Sequence, residues 1–421
     1  MKNLFKASLI VVAAAGLMSC DGVNGGGSQI SMTPDENKAR LEEVGQEVIA
    51  KFKPEVQENL IKAVNDFQIY ANDGNLEVYD KYAPAEFASQ FASVVKSTVE
   101  GANLGGIMAL AAPDSHLYEA ARIYGIYTYN GSSWSRAEST DKIEFRFTTE
   151  EGKSVVVTAQ ASEGGTELTI EGETIVIPQQ VTAAVTIEGR TEFSANVRTS
   201  CNFGSTVTVD IAIDANGYVV KENVTVNPNS GSCSASFGID GETIVAMNGT
   251  FTGNNLTNPD HIYDNYMTIG GSANAQVTIM NEVQVKGSCS DISAMVRELD
   301  NLVWDSSNIE SARQEAAIYN KYITAGLTYD NATNFVATLE VAPYESESSY
   351  TTSVWNPDTQ QYEQKVITNY YYYTEPLIVF TSDGSRFSLE DYFTEENFGG
   401  LIESFENLYK IYAGYVGAVV E

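Results

Sequence analysis

Apolar residues recur at helical spacing over the first part of the chain. Leu41, Val44, Val48 and Phe52 form one stripe, Pro54 interrupts it, and Val56, Leu60, Val64, Phe67 and Tyr70 restart it. Spacings of three and four residues place each set on one side of a helix. Two amphipathic helices packed as a hairpin are expected, ending near Asn72-Asp73-Gly74. The first carries a start signal: Thr33 as cap, Pro34 at the first helical position and Glu36 three residues after the cap, the pattern of a capping box. A third, less regular helical region spans about Ala85 to Leu110.

From about Ala121 the period changes to two. Ile123, Gly125, Tyr127 and Tyr129 alternate before the turn signal Asn130-Gly131. Ile143, Phe145 and Phe147 alternate, turn through Glu150-Glu151-Gly152 and return as Val155 to Val157. Such strands recur to residue 286, punctuated by Glu188-Gly189, Asn216-Gly217, Asp240-Gly241 and Asn248-Gly249. This predicts a long antiparallel meander with one buried and one wetter face. Asp214-Ala215-Asn216-Gly217 looks at first like part of a calcium loop, but it lacks the later bidentate acid and reads as a hairpin turn. The heptad Ile170–Val176 is echoed at Ile239–Val245, a repetition better explained by recurrent turn chemistry than by duplication.

Helical stripes return with Ile292, Met295, Val296, Leu299 and Val303, then Ile309, Ala312, Ala316 and Tyr319. Strands resume at Ala325–Tyr329, Phe335–Val341, Ser348–Val354, Tyr362–Tyr373 and Leu377–Phe380, and a last helix carries Leu401, Phe405, Leu408, Tyr412 and Tyr415. The expected fold class is α+β: a large, long-stranded antiparallel sheet, open to curving into a half-barrel, covered by N-terminal and C-terminal helices. Residues 34–118 form the helical region, 119–290 the meander, and 291–421 an α+β region packed on the same sheet.

Composition narrows the functional classes. Hydrophobic residues make up 43% of 421, ample for a core. Acidic residues number 56 against 24 basic, a net charge of −32. That field opposes nucleic acid, whose binding rests on Lys and Arg contacts to phosphate, and it favours solubility. No nucleic-acid partner is expected.

The amino terminus has Lys2 and Lys6 ahead of an apolar run from Leu9 to Leu17, then Leu17-Met18-Ser19-Cys20. The run is too short to stay in a bilayer as a helix and reads as an export signal. It resembles the lipobox of bacterial lipoproteins. The resemblance implies removal of residues 1–19 as a signal peptide, acylation of Cys20 with palmitate-type chains, and membrane attachment through that lipid. Residues 20–33, with Asp21-Gly22-Val23-Asn24-Gly25-Gly26-Gly27-Ser28, then form a flexible tether. Outer-membrane anchoring is the expected address. Asp21-Gly22-Val23-Asn24 is a poor acidic export run, which favours the periplasmic face over the cell surface.

If Cys20 takes lipid, Cys201, Cys233 and Cys289 remain. Cys201 and Cys233 are the candidate disulfide pair, placed at one end of the meander about two strand spacings apart. That is near ~10 Å, beyond disulfide reach unless the loops bend together. None of these cysteines sits in a C-x-x-C pair or beside a histidine, so no zinc site is expected.

Several segments together resemble a group of lipoproteins of unknown function from gut Bacteroidota, over most of the chain. They are the lipobox, Ile123-Tyr124-Gly125-Ile126-Tyr127-Thr128-Tyr129 followed by Trp134, Ile143-Glu144-Phe145-Arg146-Phe147, Gly241-Glu242-Thr243-Ile244-Val245, and Phe380-Thr381-Ser382-Asp383-Gly384-Ser385 leading to Tyr392-Phe393. The resemblance implies a fold and a location, with no mechanism attached. The order of helices, meander and helices also resembles envelope lipid-carrier half-barrels, which implies an apolar groove.

Catalytic signatures are missing from the sequence. Only His116 and His261 could serve as neutral-pH bases, both in polar loop contexts, and no G-x-S-x-G, H-E-x-x-H, P-loop or dinucleotide fingerprint occurs. No catalytic residue, metal or cofactor is assigned. Aromatic residues supply the binding lead. Tyr370 to Tyr373 form an unbroken run in which Tyr370 and Tyr372 share one face, and Trp355 precedes the turn signal Asn356-Pro357-Asp358. Trp355, Tyr370 and Tyr372 are therefore the candidate ligand contacts, suited to stacking on sugars or packing against a protein. The expected function is a lipid-anchored, non-enzymatic envelope protein with a binding or structural role. Two alternatives stand beside it: a carrier of an apolar small molecule in a half-barrel groove, and a surface glycan-binding or glycan-processing lipoprotein.

Overall fold

The computed structural model describes residues 29–73, 76, 84–100, 124–162, 164–170, 173–258, 270–358 and 360–416. Cys20, His116 and His261 lie outside these residues, as do the signal segment and most of the tether. The described chain is α+β, as the hydrophobic pattern predicts.

Three helices open it: α1 (Pro34–Lys51), α2 (Pro54–Asp73) and α3 (Pro84–Glu100). The capping box forms as expected. Thr33 Oγ1 accepts from the Glu36 backbone N–H at 3.3 Å, and the Glu36 carboxylate accepts from Thr33 N–H at 2.8 Å. These bonds satisfy two of the donors that a helix start leaves open.

Strands follow: β1 (Gly125–Tyr129), β2 (Trp134–Ala137), β3 (Ile143–Thr148), β4 (Ser154–Ala161), β5 (Gly165–Ile170), β6 (Glu173–Pro178), β7 (Gln180–Ile187), β8 (Arg190–Asn202), β9 (Thr206–Ala215), β10 (Tyr218–Asn227), β11 (Ser230–Ile239), β12 (Glu242–Gly253), β13 (Gly270–Ile279) and β14 (Val283–Cys289). Helices α4 (Ile292–Asp300) and α5 (Ile309–Tyr322) intervene before β15 (Ile323–Tyr329), β16 (Ala337–Asn356), β17 (Gln361–Phe380) and β18 (Arg386–Ser388). The chain ends in α6 (Leu389–Tyr392) and α7 (Glu395–Tyr415).

Sixteen strands form one open sheet in the order β18 to β7, then β4, β3, β1 and β2. From β7 onward every neighbour in the sheet is a neighbour in sequence. β1 runs parallel to β3, and β5 and β6 make a separate hairpin. The two heptads that echo each other belong to strand pairs of different sheets, Ile170 pairing with Glu173 and Ile239 with Glu242. Asn216 and Gly217 both take positive φ, 50° and 87°, and Gly217 N–H is held by Asp214 Oδ1 at 3.0 Å. That is the twisted two-residue hairpin turn, which accounts for the calcium-like spelling.

Strand alternation sorts the faces. Ile213, Val220, Phe237, Val245, Ile279, Val283 and Tyr329 stand opposite one another in successive pairings and turn toward the helices. Two apolar clusters result. In the first, Phe67 of α2 stacks on Phe147 at 5.5 Å and meets Phe145 at 4.9 Å, while Trp134 Nε1 donates to Tyr70 O at 2.8 Å. In the second, α1, α6 and α7 pack on β14 to β17 around Tyr329, Phe380, Tyr392 and Phe398. A buried polar hinge orients it: Asn37 Nδ2 donates to Tyr329 Oη at 2.8 Å, and Tyr392 Oη donates to Asn37 Oδ1 at 2.7 Å.

Three expectations need correction. Asn248-Gly249 is no turn but lies inside β12. A side chain at Gly249 would approach Cys233 Sγ to 2.9 Å and Asn274 O to 3.0 Å, so this glycine serves close packing between strands. The four strands expected over 335–380 merge in pairs into β16 and β17, continuous over 20 residues each. Cys201 lies on β8 and Cys233 on β11, three strand spacings apart or about 14 Å, and both are free thiols. That separation exceeds disulfide reach.

Candidate functional site

β16 and β17 pair through 20 residues, from Ala337–Phe380 to Asn356–Gln361. Their neighbours are much shorter. β15 pairs only with residues 337–339 of β16, and β18 only with residues 377–379 of β17. Beyond these, three side contacts hold the base of the ribbon. Asn320 of α5 imitates a strand residue, its Nδ2 donating to Val341 O at 2.7 Å and its Oδ1 accepting from Val341 N–H at 2.8 Å. On the other edge, Ser306 O accepts from Tyr372 N–H at 2.8 Å. Thr374 Oγ1 also donates to Glu315 Oε2 of α5 at 3.0 Å. From Glu345 to Asn356 the ribbon stands free over a span on the order of 40 Å.

The three sequence-predicted contacts all lie on this arm and share one face. The pairing register puts Trp355 opposite Tyr362, Tyr370 opposite Glu347 and Tyr372 opposite Glu345. Trp355 and Tyr362 occupy the last pair but one before the tip, their rings edge-to-face at 5.3 Å. Trp355 is 49% exposed and Tyr362 71%. Tyr370 is exposed and Tyr372 half-buried. The Tyr372 hydroxyl bonds the Glu345 carboxylate, which holds its phenol above the usual range. The other face carries Tyr344, Tyr350, Ile367, Tyr371 and Tyr373, with Tyr344 and Tyr373 5.0 Å apart.

Nine of the sixteen large apolar side chains exposed among the described residues belong to the arm. Scattered exposed apolar residues are ordinary, whereas such a concentration marks a contact surface. Sequence reasoning placed Trp355 at the tip correctly and missed Tyr362. Its register partner is set by the turn, and a polar turn of uncertain length hides that pairing.

A hollow of about 600 Å³ lies on the face of the sheet away from the helices. Its lining includes Ile211, Glu222 and Ala235, which align across β9, β10 and β11. Two rows of side chains flank them. One contains Arg198, Asp210, Asn223, Ser234 and Asn248, and the other Asn196, Ala212, Lys221, Ser236 and Ala246. Neither row holds an aromatic residue.

Comparison with protein-family models, curated proteins and solved structures finds no match. Functional inference therefore rests on these two surfaces.

Proposed function

We propose that this chain is a lipid-anchored, non-enzymatic binding protein of the outer membrane, attached through Cys20 and engaging an envelope protein with its aromatic arm. The observation that carries this reading is the free β16–β17 ribbon with Trp355 and Tyr362 paired at its tip. A two-stranded ribbon gains little stability from its own pairing in water, and long open edges invite association. Keeping such an element, loaded with tyrosine, favours a partner that covers it. Tyr and Trp give large contact area at small entropic cost and are enriched at the centres of interfaces. The hollow opposite the helices carries Arg198, Asp210, Lys221 and Asn223 in its lining, charged and amide groups that an apolar ligand would leave desolvated and unpaired.

Photo-crosslinking from position 362 in intact envelopes tests the reading, with a crosslinker at exposed Ile69 of α2 as control. A discrete protein adduct from the arm alone, cut at least tenfold by Trp355→Ala, is the expected result. Equal adducts from both positions, or none from the arm, would overturn it. In the same cells, palmitate labelling should vanish in Cys20→Ala; labelling that persists removes the anchor.

A further inference from the structure

Positive charge is scarce in a chain with 56 acidic and 24 basic residues. Many of the described cations are held by carboxylates, as in Lys62 with Glu58 and Glu151, Arg190 with Glu192, and Arg386 with Glu340. Arg198 and Lys221 at the hollow have no carboxylate at ion-pair distance among the described residues. Lys286 is in the same condition on the same face, where the row beginning at Arg198 continues through Asn248 and Gln276 to Lys286. Asp210 stands opposite Arg198 in register, yet its carboxylate accepts from Asn223 Nδ2 at 2.6 Å, and the guanidinium fork stays unmatched.

Asn196 Oδ1 accepts from Gln180 Nε2 at 2.8 Å, but other neutral groups of the two rows are uncommitted. Ser234, Ser236 and Asn248 make no side-chain hydrogen bond among the described residues. Asn274 Oδ1, one row further along this face, is buried without a partner. Successive strands space these groups at roughly 4.8 Å, so the hollow offers a flat grid of donors and acceptors. A polyhydroxylated ligand can occupy many points of such a grid at once. Stacking plays no part, since the rows hold no aromatic ring, so charge must supply much of the affinity. Arg matches a carboxylate with two parallel bonds, and Lys adds a point charge beside it. A volume of about 600 Å³ falls in the range of small-molecule sites. The protein's remaining acids are screened beyond roughly 8 Å at physiological salt.

We propose that this hollow is a binding site for a carboxylated oligosaccharide. Arg198 and Lys221 take the carboxylate, and the Asn and Ser rows take the sugar hydroxyls. The site is separate from the arm and does not depend on its partner.

Titration calorimetry of the full chain with trigalacturonate, the neutral trisaccharide galactotriose and acetate tests the assignment. Saturable binding of trigalacturonate is expected, at least tenfold tighter than galactotriose and weakened by added salt, with acetate silent. Arg198→Ala combined with Lys221→Ala should weaken it at least tenfold. Asn248→Asp, an exposed change that removes no packing, should act in the same direction. Bound trigalacturonate should also shield Lys221, but not Lys365 on the arm, from amine acylation read by mass spectrometry. Absence of saturable binding, affinity that survives the double substitution in a folded variant, or equal affinity for the neutral sugar would each overturn the proposal.

Discussion

Glu222 shows how much a single residue's parity reveals. Along β10, Tyr218, Val220 and Glu222 alternate onto the helix-side face, and Glu222 is only 6% exposed. Its Oε1 has no hydrogen-bond partner among the described residues. Burial pushes its carboxyl up to about 7 and, with some help from the Glu222 charge, raises the Cys233 thiol as well. The native state therefore holds a proton that the unfolded chain releases near pH 4.5. Between those values folding binds a proton, so stability falls as pH rises and the full loss is reached above pH 7. The loss is about 3 kcal/mol. Glu222→Gln keeps the shape and removes the titration. Urea unfolding at pH 8 should show the variant more stable by about that amount, with the difference shrinking toward zero near pH 4. A gap that stays constant with pH would refute it. Alternation in Tyr218-Val219-Val220-Lys221-Glu222 is consistent with this acid's place on the apolar face, a placement not drawn from the sequence. How completely it is covered depends on elements distant in sequence, and no local pattern reports that.

At the level of elements, periodicity carried most of the fold. The helical stripes, the capping box at Thr33 and the turns at Glu188-Gly189, Asn216-Gly217 and Asp240-Gly241 stand where spacing put them, except that Val303 falls beyond the end of α4 and is exposed rather than part of its stripe. Errors fell where a glycine or a polar run sits inside a strand. Asn248-Gly249 spells a turn, but Cys233 and Ala275 press on Gly249 from both sides. The polar stretch between Val341 and Ser348 looks like a break because an exposed ribbon has no apolar face to keep the alternation clean. Gly231 is a sharper case. It faces Phe251 in register, and a side-chain carbon there would sit 2.1 Å from the ring. The ring covers the bare backbone of β11, so Gly231→Ala should overpack and destabilise by roughly 1–3 kcal/mol. Phe251→Leu in the same chain should recover part of the loss, because the smaller side chain yields space. Thermal unfolding of the single and double variants checks this; a neutral single substitution would show that the ring swings away freely.

For the whole molecule, the sheet's organisation separates a stable body from an appended arm. All the helices of the two apolar clusters pack on one face, and the sheet ends at strands of four and three residues, β2 and β18, too short to recruit another chain. Only β16 and β17 run beyond this frame. Among the described residues, none of the side chains from 344 to 373 belongs to the buried parts of either cluster, and the one backbone bond from the free stretch to the body is Tyr372 N–H to Ser306 O. Replacing residues 345–372 by Asn-Gly would close a tight hairpin after the Tyr344–Tyr373 pair, with Asn320, Thr374 and the β15 and β18 pairings kept. Loss of one backbone hydrogen bond costs about 1 kcal/mol, so the unfolding free energy of the shortened chain should stay within about that margin of the parent. Its far-ultraviolet spectrum should lose strand signal in proportion to the residues removed. Trigalacturonate binding should be unchanged, since Arg198 and Lys221 lie on strands the deletion never meets, while arm-dependent crosslinking disappears. Collapse of the body on deletion would instead make the ribbon a structural brace, and its exposed tyrosines would then need no partner to explain them.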